Sequence, residues 1–440
     1  MMRFGGSLNT GKPGNNAGVG GPNGMGGKFA RSVLKKPATR NSIFNAAGSS
    51  NNATRKATTD NGKFKTTSPQ PTKIATEFSG MGGGFLACNS VVDCHHLVAC
   101  ETDPVFCRVL GGQVHTLFEN GCETRSEAQL QVYDEADVLI TTAPCRDFSQ
   151  AGKKKGTRSK RGKLIYEVCH HLRRKKLKAI IMENTWSIAN KNHKAVLFKI
   201  MRVAKEAKWF ARFLKLDSRD FGVCQSRKRC YGVFVNLDHK KRDFVPPMLW
   251  KRRMTLKKLL SFNTGCQNIP CKLSTHPREK DIQMTKFKKL FTNKKTKIDP
   301  RVTPVAIDID ASKRFASSGV DVVPCLLHSR CKGPYISTRG DRLNHEEIAM
   351  VQGYHYKTEL AQHREEVSPG QTISMLGDAV TKSVMASCFL EVLYAIGLLD
   401  SRPHAEQIRG CVFRAFPQGY IETWHQCQEG LAKTKKKSIN

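Results

Sequence analysis

Short apolar runs alternate with longer amphipathic stretches along the chain from residue 73 onward. A short apolar run between turn residues is typical of a buried strand, and apolar positions three and four apart are typical of a helix on a core. The predicted strands are KIATEF, HHLVAC, ADVLITT, AIIMEN and CYGVFVNL, and the predicted helices include KAVLFKIMRVAKEAKWF and SVMASCFLEVLYAIGLL. This alternation predicts an α/β domain with a mainly parallel sheet.

The apolar pattern weakens in two segments. Residues 1–72 carry 11 Lys and Arg against one acidic residue, with little apolar periodicity, and are predicted to form a disordered basic tail. Residues 239–335 contain eight prolines and 22 Lys and Arg against seven acidic residues, a net charge of +15. This second segment is predicted to be a separate, irregular, basic module.

Charge and cysteine usage narrow the class of protein. The formal net charge of +36 favours a polyanionic partner, nucleic acid rather than a membrane surface. No run approaches the ~18 apolar residues of a membrane span, and the N-terminus lacks the apolar segment of a signal peptide. The 16 scattered cysteines are therefore expected to be reduced, intracellular thiols.

Four of these thiols leave a metal site as an open alternative. Cys266 and Cys271 are separated by four residues, and Cys325 and Cys331 by five. A structural zinc site is possible with four thiolates, but neither pair has the common spacing of two intervening residues. The prediction is that the chain binds no metal.

A glycine-rich turn follows the first predicted strand. In FSGMGGG, residues 78–84, the glycines allow a sharp turn and close approach of backbone amides to a ligand. Glu101 follows the second strand, where a carboxylate can hold the ribose hydroxyls of a nucleotide-like cofactor. Each feature also has a plainer interpretation, an unliganded turn and an exposed carboxylate at a strand end.

Pro144 and Cys145 end the third predicted strand. Because the carboxyl ends of parallel strands meet at one edge, Cys145 is expected to face the same cleft as Gly80 and Glu101. The basic residues after the thiol are expected to favour its thiolate form. They are Arg146, Lys153, Lys154 and Lys155.

Two later strands add polar groups at this edge. Glu183 and Asn184 end the strand AIIMEN, and Gln225, Arg227 and Arg229 occupy alternate positions of QSRKR, so their side chains share one strand face. A thiol, a carboxyl group and two guanidinium groups in one cleft are suited to covalent catalysis with charge stabilisation.

In order along residues 74–385, these motifs resemble those of the cytosine-C5 methyltransferases that use S-adenosylmethionine. FSGMGGG resembles the first cofactor motif, APCRDFSQAG the catalytic loop, RGKLIYEV the helix after it, and MENTW and QSRKR the next two motifs. DRLNHEEIAMVQGY is similar to the segment that closes the family's recognition module, and LGDAV to its late cofactor motif.

The resemblance implies a Rossmann-like S-adenosylmethionine-dependent methyltransferase domain with a small irregular target-recognition domain and a role for each matched residue. Cys145 would add to carbon 6 of a flipped-out cytosine, and Glu183 would hydrogen-bond its N3 and amine. Catalytic residues would be Pro144, Cys145, Glu183, Asn184, Arg227 and Arg229. Cofactor-binding residues would be Phe78, Ser79, Gly80, Gly82, Gly83, Glu101, Thr102, Glu119, Pro144, Leu164, Asp378 and Val380. Nucleic-acid-binding residues would be Arg146, Lys153, Lys154, Lys155, Arg161 and Gln225.

The same resemblance divides the chain into five parts. The expected domains are the tail 1–72, a catalytic domain 73–238 completed by 365–400, a recognition domain 239–364, and a basic extension 401–440. Double-stranded DNA is the expected partner, bound by a monomer in the nucleus. Two alternatives stay open, an RNA (tRNA) cytosine methyltransferase of the same family and a catalytically silent DNA-binding regulator.

Three positions depart from the family pattern. Glu77 replaces an apolar residue before FSG, where its charge would face the cofactor or weaken the strand. Arg146 replaces the usual Gln after the catalytic Cys, and Asp378 replaces Asn in the late motif, a carboxylate in place of an amide donor. The family chemistry also needs a base that removes the proton from carbon 5, and the sequence identifies no residue for that role, which water can fill.

Overall fold

Seven strands form one sheet in the computed structural model of the chain, which describes residues 62–149, 152, 155–250, 253–262, 269–292, 298–360 and 365–416. The strand order is β3-β2-β1-β4-β5-β7-β6. The first five strands along the chain pair in parallel, and β7 lies antiparallel between β5 and β6. The strands are β1 (Thr72–Glu77), β2 (Cys94–Cys100), β3 (Thr116–Phe118), β4 (Val138–Thr141), β5 (Ala179–Thr185), β6 (Trp209–Asp217) and β7 (Lys228–Asn236).

Helices cover both faces of this sheet. Those before β6 are α1 (Gly83–Asn89), α2 (Pro104–Leu110), α3 (Glu127–Asp134), α4 (Lys160–Lys163), α5 (Val168–Arg174) and α6 (Lys194–Glu206). Those after β7 are α7 (Leu256–Ser261), α8 (Pro277–Phe291), α9 (His345–Gln352), α10 (Tyr356–Glu359), α11 (Pro369–Asp378), α12 (Lys382–Ala395) and α13 (Ala405–Val412).

The sheet separates two apolar cores, because successive strand residues point to opposite faces. In β1, Ile74 belongs to the core that contains α1 and α12, and Ala75 to the core that contains α5 and α6. Burial on both faces explains why the predicted strands are nearly continuous apolar runs. The prediction of an α/β fold with a mainly parallel, Rossmann-like sheet is confirmed.

Three local predictions were wrong. The helix predicted through Phe210 ends at Glu206, because Lys208 takes a left-handed φ of 59° and the next residue, Trp209, begins β6. Strands β3 and β6 were not predicted, since β3 has three half-buried residues and β6 alternates between core and solvent. The disordered tail was predicted to reach residue 72, but Phe64 is buried and its amide donates to Val91 O at 2.7 Å. Residues 1–61 lie outside the described part.

A second, smaller sheet lies within residues 305–342. Its strands are β8 (Val305–Ile307), β9 (Ser318–Val320), β10 (Tyr335–Ile336) and β11 (Asp341–Arg342), in the antiparallel order β11-β10-β8-β9. Helix α8 packs on it through Ile282 and Phe287. The following helix, α9, instead contributes Ile348 to the large core, although the predicted recognition domain extends to residue 364. The domain boundaries stay a prediction.

None of the described helices is by itself both long and apolar enough to cross a bilayer. Helices α11 and α12, bent by 41° to each other, pass the length and composition criteria only as a pair. Because α12 is almost wholly buried against the sheet, its apolar character is accounted for by the core.

Candidate active site

The glycine-rich turn after β1 opens onto the cleft. Gly80 and Gly82 take left-handed φ angles of 54° and 79°, which glycine adopts at little cost. A Cβ added at Gly80 would meet no atom within 4 Å, so this turn has open space in front of it. Gly83 is confined instead, because a Cβ there would approach the Tyr354 hydroxyl to 2.7 Å. The turn therefore packs against Tyr354 at Gly83 and faces open space at Gly80.

Two further cofactor candidates in the turn hold it to its neighbours. Ser79 pairs with β2, since its amide and its hydroxyl both donate to Cys100 O at 3.1 Å. Phe78 has a φ of 53°, and its carbonyl accepts a hydrogen bond from the Thr142 hydroxyl at 2.8 Å. These bonds fix the turn between β2 and the loop after β4.

Glu101 lies at the end of β2, as predicted, beside this turn. Its carboxylate accepts from the amides of Gly80 at 2.7 Å, Thr102 at 2.8 Å and Asp103 at 3.0 Å. Glu119 is exposed immediately after β3, on the neighbouring strand end. The structure thus brings Gly80, Glu101 and Glu119 to one edge of the sheet, with Thr102 exposed between them.

Asn184 connects the Pro-Cys loop to β5. Its side-chain amide is fully buried and donates to Ala143 O at 2.9 Å, directly before Pro144 and Cys145. The Cys145 carbonyl accepts a hydrogen bond from the Phe148 amide at 3.0 Å, so the loop turns directly after the thiol. Asn184 is therefore a positioning residue for the thiol, while Pro144 and Cys145 are themselves half-buried at the cleft.

Glu183 and Arg229 form a buried ion pair beside the thiol. Arg229 Nε lies 3.0 Å from Glu183 Oε1, across the antiparallel pair of β5 and β7. Burial raises the pKa of Glu183 above its ordinary value, and Arg229 is the main opposing influence. A carboxyl group in this balance can take part as a hydrogen-bond donor when protonated and as an acceptor when ionised.

The predicted electropositive setting of Cys145 differs from the one observed. Burial raises the pKa of Cys145, and Arg229 and then Arg227 are the cations that lower it. Desolvation disfavours the charged form of the thiol, and the effect of the basic loop residues on it stays a prediction. Arg146 is exposed, and Lys153 and Lys154 lie outside the described residues.

Arg227 also binds backbone carbonyls of two other segments. It is 3% exposed, and its guanidinium donates to the carbonyls of Leu326 at 3.0 Å, Gly377 at 2.9 Å and Asp378 at 3.3 Å. These bonds connect β7 to the segment before residue 328 and to the end of α11. Arg227 therefore supports the site from beneath.

Gln225 was predicted to contact nucleic acid, and that contact stays a prediction. Its side chain is fully buried, and both amide atoms lack hydrogen-bond partners among the described residues. Its backbone forms an isolated bridge with Val323, which carries the chain towards Cys325. The Gln225 side chain is therefore an interior one.

The predicted phosphate contacts after the thiol are partly described. Arg146, Lys155 and Arg161 are exposed. The end of this basic loop is tied back, because Ser159 Oγ donates to Asp147 Oδ2 at 2.8 Å. Leu164 follows helix α4 and is half-buried. Closure of the loop over a substrate stays a prediction.

The late motif closes the cleft from the other side. The Tyr354 hydroxyl donates towards Val380 O at 2.9 Å and lies 3.2 Å from Gly83 O, so α11, α9 and the glycine turn meet there. Val380 is buried, whereas the Asp378 side chain is 45% exposed. Asp378 Oδ2 lies 2.9 Å from His328 Nδ1, an ion pair that the sequence did not predict.

Sequence reasoning also missed the position of Cys325. Its Sγ lies 3.6 Å from Arg229 Nη2 and 3.7 Å from Arg227 Nη1, and these two cations lower its pKa despite burial. Cys325 was considered as a zinc ligand, but here it faces two guanidinium groups. Of the other candidates, Cys271 packs on the small core, and Cys266 lies outside the described residues. Within the described part there is no group of three or more metal-ligating side chains.

The sheet order, the glycine turn, the acidic strand ends and the strand-end thiol together define a Rossmann-like methyltransferase. The chain belongs to the C-5 cytosine-specific DNA methylase family, whose model matches residues 73–392. The motif matches expected from the sequence are thereby confirmed at the level of the family.

Individual relatives agree with this assignment. The Type II methyltransferase M.HhaI of Haemophilus parahaemolyticus is 23% identical over 286 residues, which cover 63% of this chain and 82% of that protein. M.NlaX of Neisseria lactamica is 31% identical over 170 residues, 38% of this chain and 53% of that one. A prophage-encoded E. coli protein described as a DNA modification methyltransferase shares the fold, with a TM-score of 0.53 and 16% identity over 75% of this chain and all of that one.

Proposed function

We propose that this protein transfers a methyl group from S-adenosylmethionine to carbon 5 of cytosine in double-stranded DNA, with Cys145 as the nucleophile. The observation that carries the proposal is the placement of the Cys145 thiol at a strand end next to the buried Glu183–Arg229 ion pair, at the same sheet edge as Gly80 and Glu101. Thiol and carboxyl groups are what an attack on a cytosine ring requires.

The residues at the edge fit S-adenosylmethionine. Gly80 leaves open space for a ligand, and the carboxylate of Glu101 is held at the end of β2, where ribose hydroxyls would donate to it. Glu119 would bind the nucleoside base, and Phe78 and Val380 would contact its apolar sides. When bound, the cofactor supplies an electrophilic methyl group.

The chain's own residues prepare the ring for that group. Carbon 5 of cytosine is a weak nucleophile, so the Cys145 thiolate first adds to carbon 6 and makes carbon 5 electron-rich. Glu183 hydrogen-bonds N3 and the exocyclic amine, where charge develops during the addition. Arg229 holds Glu183 in place and lowers the pKa of Cys145, while Asn184 fixes the loop that carries the thiol.

The raised pKa of Cys145 in the free protein agrees with a thiol that is activated only on assembly of the complex. A closed basic loop would bring cationic groups towards Cys145 and favour its thiolate. Ring N3 would at the same time lie beside Glu183 and hydrogen-bond with it. The exposed Arg146, Lys155 and Arg161 are on the segment that would make this closure.

Double-stranded DNA is proposed as the polymer because of charge and chemistry. The net charge of +36 suits a polyanion, and the basic segment 239–335 is placed next to the cleft through Cys325 and Arg227. Carbon 5 of a paired cytosine is inaccessible in the stack, so the base must be flipped into the cleft. Binding as a monomer and residence in the nucleus are part of the proposal; the basic clusters KRGK and RRKK also fit a nuclear import signal.

The test is a transfer assay with labelled S-adenosylmethionine on matched duplex DNA and RNA. We expect label in DNA, at carbon 5 of cytosine, and none in RNA. Cys145→Ser is expected to lose the transfer, and Cys331→Ser, an exposed thiol, to keep it. Label in RNA alone would refute DNA as the substrate, and full activity of Cys145→Ser would refute the nucleophile.

A further inference from the structure

We propose that His328, oriented by Asp378, is the general base that removes the proton from carbon 5 after methyl transfer. This inference rests on the proposed function and adds a residue for a step that the motifs leave without one. It also gives a role to the carboxylate at position 378, where the family pattern has an amide.

The step requires a proton acceptor near carbon 5. After transfer, carbon 5 carries both the new methyl group and its original proton, and carbon 6 is bonded to Cys145 Sγ. The base takes the proton, the C5–H electron pair becomes the C5=C6 double bond, and the C6–S bond breaks to release the thiolate. His328 would become an imidazolium ion and pass the proton to solvent.

His328 and Asp378 lie within ion-pair distance of each other. His328 Nδ1 lies 2.9 Å from Asp378 Oδ2, although the angle between them falls outside hydrogen-bond geometry, and Nε2 is the ring nitrogen left to accept a proton. The imidazole side chain is 37% exposed, which leaves it open to a substrate in the cleft. A carboxylate on the far nitrogen stabilises the imidazolium ion that forms, and an asparagine amide would not do so.

Both partners are held on fixed backbone. Ser374 Oγ donates to His328 O at 2.6 Å, and a Cβ added at Gly377 would come within 2.5 Å of His328 N. Arg227 joins the two segments again, through Leu326 O and the Gly377 carbonyl. Arg227, which belongs to the QSRKR motif, therefore holds the backbone next to both partners. A loose surface contact would not have this support.

Charged groups on three segments act on His328. They are Asp378 on α11, Arg146 in the loop directly after Cys145, and Asp103 in the segment directly after Glu101. Carbon 6 must reach Cys145 and carbon 5 must face the cofactor at Glu101, so carbon 5 would lie between these loops. Asp378 raises the pKa of His328 above its ordinary value, against the lowering effects of burial and of Arg146.

The test separates methyl transfer from elimination in single-turnover reactions on duplex DNA with ordinary cytosine. Wild type, His328→Gln and Asp378→Asn are compared with His115→Gln, an exposed histidine that contacts a threonine hydroxyl before β3. Three quantities are followed: methyl label in the product, release of tritium from carbon 5, and denaturation-resistant protein–DNA adduct.

We expect His328→Gln to transfer methyl into the adduct and then to hold it, with tritium release slowed about 100-fold or more. Asp378→Asn is expected to slow release by a smaller factor, and His115→Gln to match wild type. Tritium release at the wild-type rate in His328→Gln would overturn the proposal, as would loss of adduct formation together with release.

A parallel arm with 5-fluorocytosine DNA distinguishes failure of this proposal from failure of the proposed function. Fluorine at carbon 5 prevents elimination whichever group is the base, so wild type and His328→Gln are both expected to form the adduct to the same extent. Absence of the adduct in wild type would refute the proposed function. Its presence in wild type with absence in His328→Gln would refute the assignment of His328 to the later step.

Discussion

Replacing Glu77 with leucine is expected to destabilise the protein, although leucine is apolar and the site is a buried strand. The Glu77 carboxylate is fully buried at the end of β1. It accepts hydrogen bonds from Arg125 and from His171, whose Nε2 lies 2.7 Å away. The Arg125 side chain is only 2% exposed, so removing the carboxylate leaves a guanidinium ion buried without its main counter-charge.

The magnitude follows from the pKa of Glu77. His171 and Arg125 outweigh burial and lower it from 4.5 to about 2. At about 1.4 kcal/mol for each tenfold change in proton affinity, this difference corresponds to about 3 kcal/mol of stability. Because the pKa in the folded state lies below that in the unfolded state, the contribution is complete above pH 4.5 and is lost as the pH falls towards 2.

The assay is urea unfolding of wild type, Glu77→Leu, Arg125→Met and the double variant at pH 7. We expect Glu77→Leu to lose about 3 kcal/mol, and the double variant to lose clearly less than the sum of the single losses. The gap between wild type and Glu77→Leu should narrow below pH 4.5. A neutral or stabilising Glu77→Leu, or additive losses, would refute the assignment of Glu77 to a structural ion cluster.

Two further predictions concern the site itself. Asn184→Ala leaves Ala143 O without its donor and should cost about 1–3 kcal/mol of stability with a fall in kcat of roughly 100-fold. Asn236→Ala, equally buried at the far end of the sheet, should lose similar stability in urea unfolding and keep kcat, and equal losses of kcat in both would argue against positioning. Gly80→Ala should weaken binding of S-adenosylmethionine, measured by calorimetry, because its φ of 54° strains a side chain that points into the cleft. Gly410→Ala, which also meets no atom within 4 Å, should bind normally, and normal binding by Gly80→Ala would contradict the placement of the cofactor.

Much of the fold follows from local sequence. The five predicted strands are largely buried on both faces and are therefore rich in apolar residues, and they correspond to β1, β2, β4, β5 and β7. Strand β6 escaped prediction because Phe213 and its neighbours alternate with basic residues on a partly exposed edge. Its pairing with β7 over nine residues, a long-range contact, is what makes it a strand.

The site was predictable only where a motif carries it. Cys145 lies in the loop after β4, and Glu183 and Arg229 lie on the paired strands β5 and β7. The topology brings all three to one edge, so order along the chain was sufficient. Cys325 and His328 come from the basic segment, and they reach the cleft only because of backbone contacts made by a buried arginine. No local pattern in the sequence records such contacts.

The role of Glu77 also depends on long-range contacts that the local sequence does not reveal. As a departure from the family pattern it suggested a charge facing the cofactor or a weakened strand. The structure shows a third outcome, because His171 and Arg125 enclose the carboxylate within the core that contains α5. Partners 94 and 48 residues away in sequence compensate its charge.

The central claim is that Cys145 bonds to carbon 6 of a cytosine in DNA. The most direct measurement is mass spectrometry of the protein after reaction with S-adenosylmethionine and duplex DNA that contains 5-fluorocytosine, followed by digestion. We expect one nucleotide adduct, on the peptide that contains Cys145, and none in Cys145→Ser. An adduct on Cys325, or on any other residue, or an unmodified protein that still methylates DNA, would contradict it.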